Sequence, residues 1–292
     1  MLLGLLRLLR PFNFALFFAG VALGGILAAG ADAFGSPRAG RLLLAMVSAA
    51  LVGGAANAIN DVYDLEIDRV NRPGRPLPSG QATPEAARLL WAVLSVLGVA
   101  LGALVSPLHG VLAVVTVALL FAYSAQLKRT PGWGHLVIAL VLGLAVCYGG
   151  LAARPERWGL ALVGAAFAFL TTLAREGAKA IEDVEGDAAH GARTLAVAWG
   201  PRPTGWAVLA VVGLTLVLLP LTAWTALGAS FLGWALPAGA ALLAVLWVLL
   251  DADAGALAGD PEAWTRGAAR ASRWLKTAMV AGVLALALAR LG

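Results

Sequence analysis

The sequence predicts an all-α protein, a polytopic membrane bundle of about nine transmembrane helices, and two observations carry that expectation. Of its 292 residues, 61% are hydrophobic and only 13% charged, with a mean hydropathy of +0.86. A soluble domain lies nearer roughly 45–50% apolar, with about a quarter of its residues charged. That much apolar surface cannot be hidden in one water-exposed globule, so the solvent must be lipid. The apolar residues are also gathered into stretches close to the length of about 20 residues that a spanning helix needs.

The spans are expected, in order, at 12–30, 40–59, 86–104, 108–125, 134–152, 158–178, 204–223, 228–250 and 272–290. Before the first, Met1 to Arg10 is apolar and basic, has no polar cleavage region, and reads as running straight into span one. Span two contains Gly53-Gly54-Ala55-Ala56, a small-residue patch of the kind that lets membrane helices approach closely; Gly143, Gly149 and Gly150 in span five read the same way. Span five also holds the single cysteine, Cys147, which excludes an intrachain disulfide and reads as a small hydrophobe rather than a nucleophile. Between spans eight and nine, Asp251 to Arg270 is the least apolar loop, either a cap or a plain solvated connection. The ten tryptophans, among them Trp91, Trp133, Trp158, Trp199, Trp206 and Trp274, fall mostly near expected interfaces and form an aromatic belt. The chain is read as one domain, 1–292.

Basic residues accumulate in cytoplasmic loops. With nine spans, 16 of the 21 Lys and Arg residues belong to the side of the N-terminus, and only Arg38, Arg41, Arg154, Arg157 and Arg290 to the other. The N-terminus is therefore expected in the cytoplasm and the C-terminus outside. The net charge of +5 is accounted for by this surface charge and asks for no nucleic-acid partner.

Nine of the 16 acidic residues lie in two short stretches, Asp61, Asp64, Glu66, Asp68 and Glu176, Glu182, Asp183, Glu185, Asp187. The topology puts both on the cytoplasmic face, at span ends. On a helix, Asn57, Asp61, Asp64 and Asp68 share one face, and Asp183 and Asp187 stand one turn apart, with Lys179 and Glu176 one and two turns earlier. Carboxylates stacked in this way repel one another, and ionised groups near a bilayer are costly. Mg²⁺ resolves both problems, because it takes carboxylate oxygens together with water and substrate phosphates. Two carboxylate clusters facing each other would hold such ions around a diphosphate, with Arg72, Arg75, Lys128 and Lys179 neutralising the remaining phosphate charge. Glu66 and Glu185 fall off the shared faces and read as solvated. His109, His135 and His190 share no ligand spacing, which argues against zinc. Asp61 and Asp183 are four spans apart, as a parallel repeat of four helices with a ninth added would place them.

The residues Asn60-Asp61-Val62-Tyr63-Asp64-Leu65-Glu66-Ile67-Asp68, followed by Arg69-Val70-Asn71-Arg72-Pro73-Gly74-Arg75-Pro76-Leu77-Pro78-Ser79-Gly80, resemble the first motif of the UbiA superfamily of intramembrane prenyltransferases. Motif one spans 57–80. Residues 175–187, Arg175-Glu176-Gly177-Ala178-Lys179-Ala180-Ile181-Glu182-Asp183-Val184-Glu185-Gly186-Asp187, resemble the second motif, and Tyr123-Ser124 with Lys128 a further shared element. The resemblance implies a nine-helix bundle with a cytoplasmic cap that binds Mg²⁺ and an isoprenyl diphosphate and passes the prenyl carbocation to a lipophilic acceptor. Asn60, Asp61, Asp64, Asp68, Asp183 and Asp187 would then be the metal–diphosphate residues, and Asn57, Arg72, Arg75, Tyr123, Lys128, Glu176 and Lys179 would hold diphosphate or acceptor. Within the superfamily, Glu176 to Asp187 and Arg75 to Gly80 most resemble the branch that transfers a geranylgeranyl group to geranylgeranylglyceryl phosphate in ether-lipid synthesis. Gly177-Ala178 departs from the bulkier apolar pair of that branch, so quinone-type aromatic and chlorophyll-type acceptors remain alternatives. From a different class, a secondary transporter would place its acidic residues at mid-membrane rather than at span ends.

Overall fold

Thr83-Pro84 and Ser106-Pro107 are local instructions to begin a helix. Each hydroxyl caps a free backbone N–H, of Ala86 at 3.2 Å and of His109 at 3.3 Å, and each proline fills the first helical position, where it has no bond to lose. The computed structural model describes residues 2–35, 37–189 and 191–291; His190 lies outside them. Among the described residues there are no strands, and nine helices are long and apolar enough to cross a membrane.

The order is α1 Leu2–Leu8, α2 Pro11–Ala29, α3 Arg38–Tyr63, α4 Leu65–Asn71, α5 Pro84–Val105, α6 Pro107–Ala125, α7 Trp133–Ala153, α8 Gly159–Glu182, α9 Val184–Ala189, α10 Leu195–Trp199, α11 Pro201–Thr222, α12 Ser230–Leu257 and α13 Ala263–Leu291. The short α1, α4, α9 and α10 do not span; the last three sit in the connections that carry or follow the acidic motifs. The helices pack as two compact units, Met1–Leu127 with Leu144–Ala161, and Lys128–Gly143 with Leu162–Gly292.

The first unit depends on small residues. A side chain at Gly24 would strike the Val146 carbonyl oxygen at 1.8 Å, one at Gly149 the Val21 oxygen at 1.8 Å, and one at Gly53 the Phe17 ring at 2.2 Å. Gly53 in span two and Gly149 in span five are thus contact points against α2, whereas Gly143 faces Ala165 of α8. Buried polar groups satisfy one another: Ser48 donates to the Gly98 carbonyl at 2.7 Å and meets the Tyr148 hydroxyl at 2.9 Å. The His109 ring lies edge-on to Tyr148 and meets its carbonyl at 3.1 Å. In the second unit, Ala174, Ala178 and Ile181 of α8 are buried with Val208, Leu209 and Val212 of α11. A Cβ at Gly177 would lie 2.7 Å from Val208 Cγ2, which explains why the small pair Gly177-Ala178 stands here.

Two expectations are corrected. Met1–Arg10 does not run straight into span one: α1 ends at Leu8, and Arg10 turns the chain with φ 49° before α2 begins. Asp251–Arg270 is not a loop, because α12 continues to Leu257 and α13 starts at Ala263. Its low hydropathy belongs to the outer face. The inner face is small and buried, Ala252 and Asp253 on α12 against Gly267 and Ala268 on α13, and a Cβ at Gly267 would meet that of Ala252 at 2.5 Å. Arg202 closes the polar end by gripping both oxygens of Asp253, at 2.7 and 3.3 Å.

Candidate active site

Motif one is built on a helix that changes direction without losing its ladder. Between α3 and α4, Asp64 sits at φ −94°, ψ 0°, yet its N–H still bonds the Asn60 carbonyl at 3.0 Å, and the Asp68 N–H bonds that of Asp64 at 2.8 Å. The spacing expected from the sequence therefore survives, and the side chains divide into two sets. Asp61 and Asp68 are buried, whereas Asp64 is half-buried and accepts a 2.8 Å hydrogen bond from the Asn60 amide.

The buried pair is held by arginines. Arg75 forms an ion pair with Asp68 and lies 3.6 Å from Asp61, and Arg10 pairs with Asp61. Arg75 can reach back because residues 72–83 fold on themselves: the Ser79 N–H and hydroxyl both bond the Arg75 carbonyl, at 3.0 and 2.7 Å, and Ala82 bonds that of Pro76 at 3.0 Å. An apolar cluster fastens this fold, with Leu77 and Ala82 buried against Leu8 of α1 and Ala58 of α3. Asn57 donates to the Leu9 carbonyl at 3.0 Å and so ties the end of α1 to α3. Arg72 is exposed, Tyr123 is half-buried, and Glu66 is exposed in a pair with Arg69 at 2.8 Å.

In the sequence Arg10 counts only among the basic residues that set the topology. Its contact spans 51 residues, and the sole local signal is its place before Pro11, where a proline opens the next helix. Removing Arg10 takes away one of the two guanidinium groups beside the buried Asp61 carboxylate and leaves Arg75 alone there, at 3.6 Å. Arg10→Ala is therefore expected to destabilise the protein by about 1–3 kcal/mol, read as a lower melting temperature in detergent, while Arg10→Lys should retain part of the loss. An unchanged melting temperature in Arg10→Ala would show the pair to be incidental.

Motif two repeats the arrangement of a helix that turns at an aspartate. α8 ends at Glu182, and the Asp183 and Asp187 N–H groups bond the Lys179 and Asp183 carbonyls, each at 2.9 Å. Asp183 is exposed and 3.9 Å from Lys179; Glu176 is largely buried and 3.0 Å from Arg175. Asp187 is partly buried, and that desolvation, aided by the like charge of Asp183, pushes its carboxyl above the ordinary range. Lys128 lies on a short turn, Leu127–Arg129, and Glu185 is exposed.

Among the described residues, no three or more His, Cys, Asp or Glu side chains converge closely enough to enclose a metal ion. Mg²⁺ does not require that. It takes one or two carboxylates and completes its shell with water and substrate phosphates, all hard oxygen donors. Asn60, Asp61, Asp64 and Asp68 in motif one, and Asp183 and Asp187 in motif two, supply such oxygens, and Asp61 and Asp68 also pair with Arg10 and Arg75.

Comparison with known proteins agrees with the motifs. The model of the UbiA prenyltransferase family matches residues 15–260. A digeranylgeranylglyceryl phosphate synthase of Methanopyrus kandleri is 36% identical over 285 residues, covering 96% of this chain and 96% of that protein. A solved structure described as giving structural and mechanistic insights into digeranylgeranylglyceryl phosphate synthase in membranes superposes with a TM-score of 0.77 at 26% identity, covering 99% of this chain and 98% of that one. A UbiA homologue from Archaeoglobus fulgidus, bound to DMAPP and Mg²⁺, shares the fold with a TM-score of 0.67 at 19% identity, over 95% of this chain and 98% of its own.

Proposed function

This chain belongs to the UbiA prenyltransferase family, and we infer that it transfers a geranylgeranyl group from geranylgeranyl diphosphate to geranylgeranylglyceryl phosphate. It is an integral membrane protein and a prenyltransferase. The observation that carries the choice of acceptor is the nearly full-length match to a digeranylgeranylglyceryl phosphate synthase. In the reaction, the C–O bond between the allylic carbon and the diphosphate breaks. The acceptor hydroxyl oxygen bonds to that carbon and loses its proton, and diphosphate departs.

Asn60, Asp61, Asp64 and Asp68 in motif one, and Asp183 and Asp187 in motif two, are assigned as the metal–diphosphate residues. Bound Mg²⁺ would stabilise the negative charge that gathers on the leaving group. Arg72, Lys128 and Lys179 supply further positive charge to phosphate oxygens. Asp61 and Asp68 keep Arg75 and Arg10 at the motif, so that Arg75 has a fixed position from which to reach phosphate. Asn57, Tyr123 and Glu176 position substrate. The apolar helices shield the carbocation from water.

The purified protein, incubated with Mg²⁺, geranylgeranyl diphosphate, geranylgeranylglyceryl phosphate and a set of aromatic acceptors, should give a product whose mass is that of the digeranylgeranylated glyceryl phosphate. EDTA should remove it. A prenylated aromatic product in its place would reassign the acceptor. The excess of basic residues on one side supports an orientation with the N-terminus and both motifs in the cytoplasm and the C-terminus outside. A C-terminal alkaline phosphatase fusion should accordingly be active; an inactive fusion with an active cytoplasmic reporter would reverse the orientation.

A further inference from the structure

Asp187 lies where two connections of the second unit are fastened together. After α9 the chain reverses through Gly191, at φ 70°, as the Ala192 N–H bonds the Asp187 carbonyl at 2.9 Å. The Arg193 N–H then bonds the Arg129 carbonyl at 3.0 Å, which ties this segment to the one leading into α7. A Cβ on Gly132 in that second segment would touch the Leu195 side chain at 3.8 Å. Two side chains reach the corner from these segments, Thr194 from one and His135, in the first turn of α7, from the other.

Both carry a polar atom that the surrounding protein leaves unused. Thr194 is 6% exposed and occupies the N-cap of α10, a position where a threonine hydroxyl ordinarily bonds a backbone N–H. It makes no such bond. The hydroxyl lies beside the Asp187 carboxylate, without forming a hydrogen bond of good geometry. The Nδ1 atom of His135 is likewise buried without a partner, and the ring lies within electrostatic reach of Glu176, Asp187 and Lys179. A buried polar atom without a partner is destabilising, so two of them at one corner call for a common cause.

We propose that Thr194 and His135 are positioning residues for Asp187, donating from Oγ1 and Nδ1 to its carboxylate and fixing one oxygen while the other faces the bound ligand. The inference rests on the assignment of Asp187 to metal and diphosphate. Carboxylates that bind a metal are themselves usually held by hydrogen bonds, and losing such a support typically weakens metal affinity about 10- to 100-fold. The corner is thus complete only when Asp187 is drawn into its working position.

The test is Mn²⁺ binding to the full-length protein with inorganic diphosphate, followed by electron paramagnetic resonance, alongside melting temperature. Asp187→Asn is the reference. Thr194→Val and His135→Phe are each expected to weaken Mn²⁺ binding about tenfold, with Thr194→Ser and His135→Gln, which keep a donor, restoring it to within about threefold. Wild-type affinity in Thr194→Val and His135→Phe, with Asp187→Asn weakened, overturns the inference and leaves the assignment of Asp187 standing. Wild-type affinity in Asp187→Asn overturns that assignment, and the inference with it. A loss that Thr194→Ser and His135→Gln fail to restore means that packing, not donation, is at stake, and also overturns the inference. If Thr194→Val does not fold, the His135 pair decides alone.

Discussion

Replacing Asp64 by Asn is expected to lower turnover at least about 100-fold while leaving the melting temperature near that of the wild type; loss of a single preorganised electrostatic group commonly costs about 100- to 1,000-fold in catalysis. The substitution keeps size and shape and removes one negative charge. Asp64 is half-buried and accepts a hydrogen bond from the Asn60 amide, which an asparagine carbonyl in its place can still accept. The neighbouring aspartates differ in this respect. Asp61→Asn or Asp68→Asn would free an arginine from a buried pair and confound chemistry with stability. Asp183→Asn should match Asp64→Asn, since Asp183 is exposed and meets Lys179 at 3.9 Å. Glu185→Gln, exposed and two residues from Asp183, should stay within about threefold of wild type, as exposed substitutions that touch no ligand usually do. Wild-type turnover in Asp64→Asn, measured by product mass spectrometry, would remove motif one from the reaction.

The largest structural effect is expected from Gly149→Leu, which should destabilise the first unit by at least about 3 kcal/mol, beyond the range of about 1–3 kcal/mol typical of overpacking. The reason is that the obstacle is backbone. Even a Cβ at Gly149 would lie 1.8 Å from the Val21 carbonyl oxygen, and Gly24 faces the Val146 oxygen at the same distance on the other side of the α2–α7 contact. A side chain can rotate out of the way, whereas a helix carbonyl can move only with its helix. Gly213→Ala is the control, because no atom lies within 4 Å of its would-be Cβ. Size-exclusion chromatography after a heating series in detergent reads both. A Gly149→Leu protein as heat-resistant as Gly213→Ala would mean that α2 and α7 are not in this contact.

By itself the sequence determined the spans and the two motifs, for the same physical reason. Crossing a bilayer depends on the length and apolarity of one continuous stretch, and stacking carboxylates depends on the pitch of one helix; both are local properties. Thus the spans expected at 86–104 and 108–125, observed as 84–105 and 107–125, were legible from hydropathy, Asp61, Asp64 and Asp68 from their shared helix face, and Asp183 and Asp187 from their spacing of four. Tertiary structure decided what depends on residues distant in the chain. Arg10 meets Asp61 across 51 residues only because α1 is seated beneath the fold of 72–83. That fold also brings Arg75 to Asp68. The low hydropathy of 251–270 suggested a loop because averaging over the segment mixes its charged outer face with its small inner one. Only packing, Gly267 against Ala252, shows that the inner face is what makes it helix.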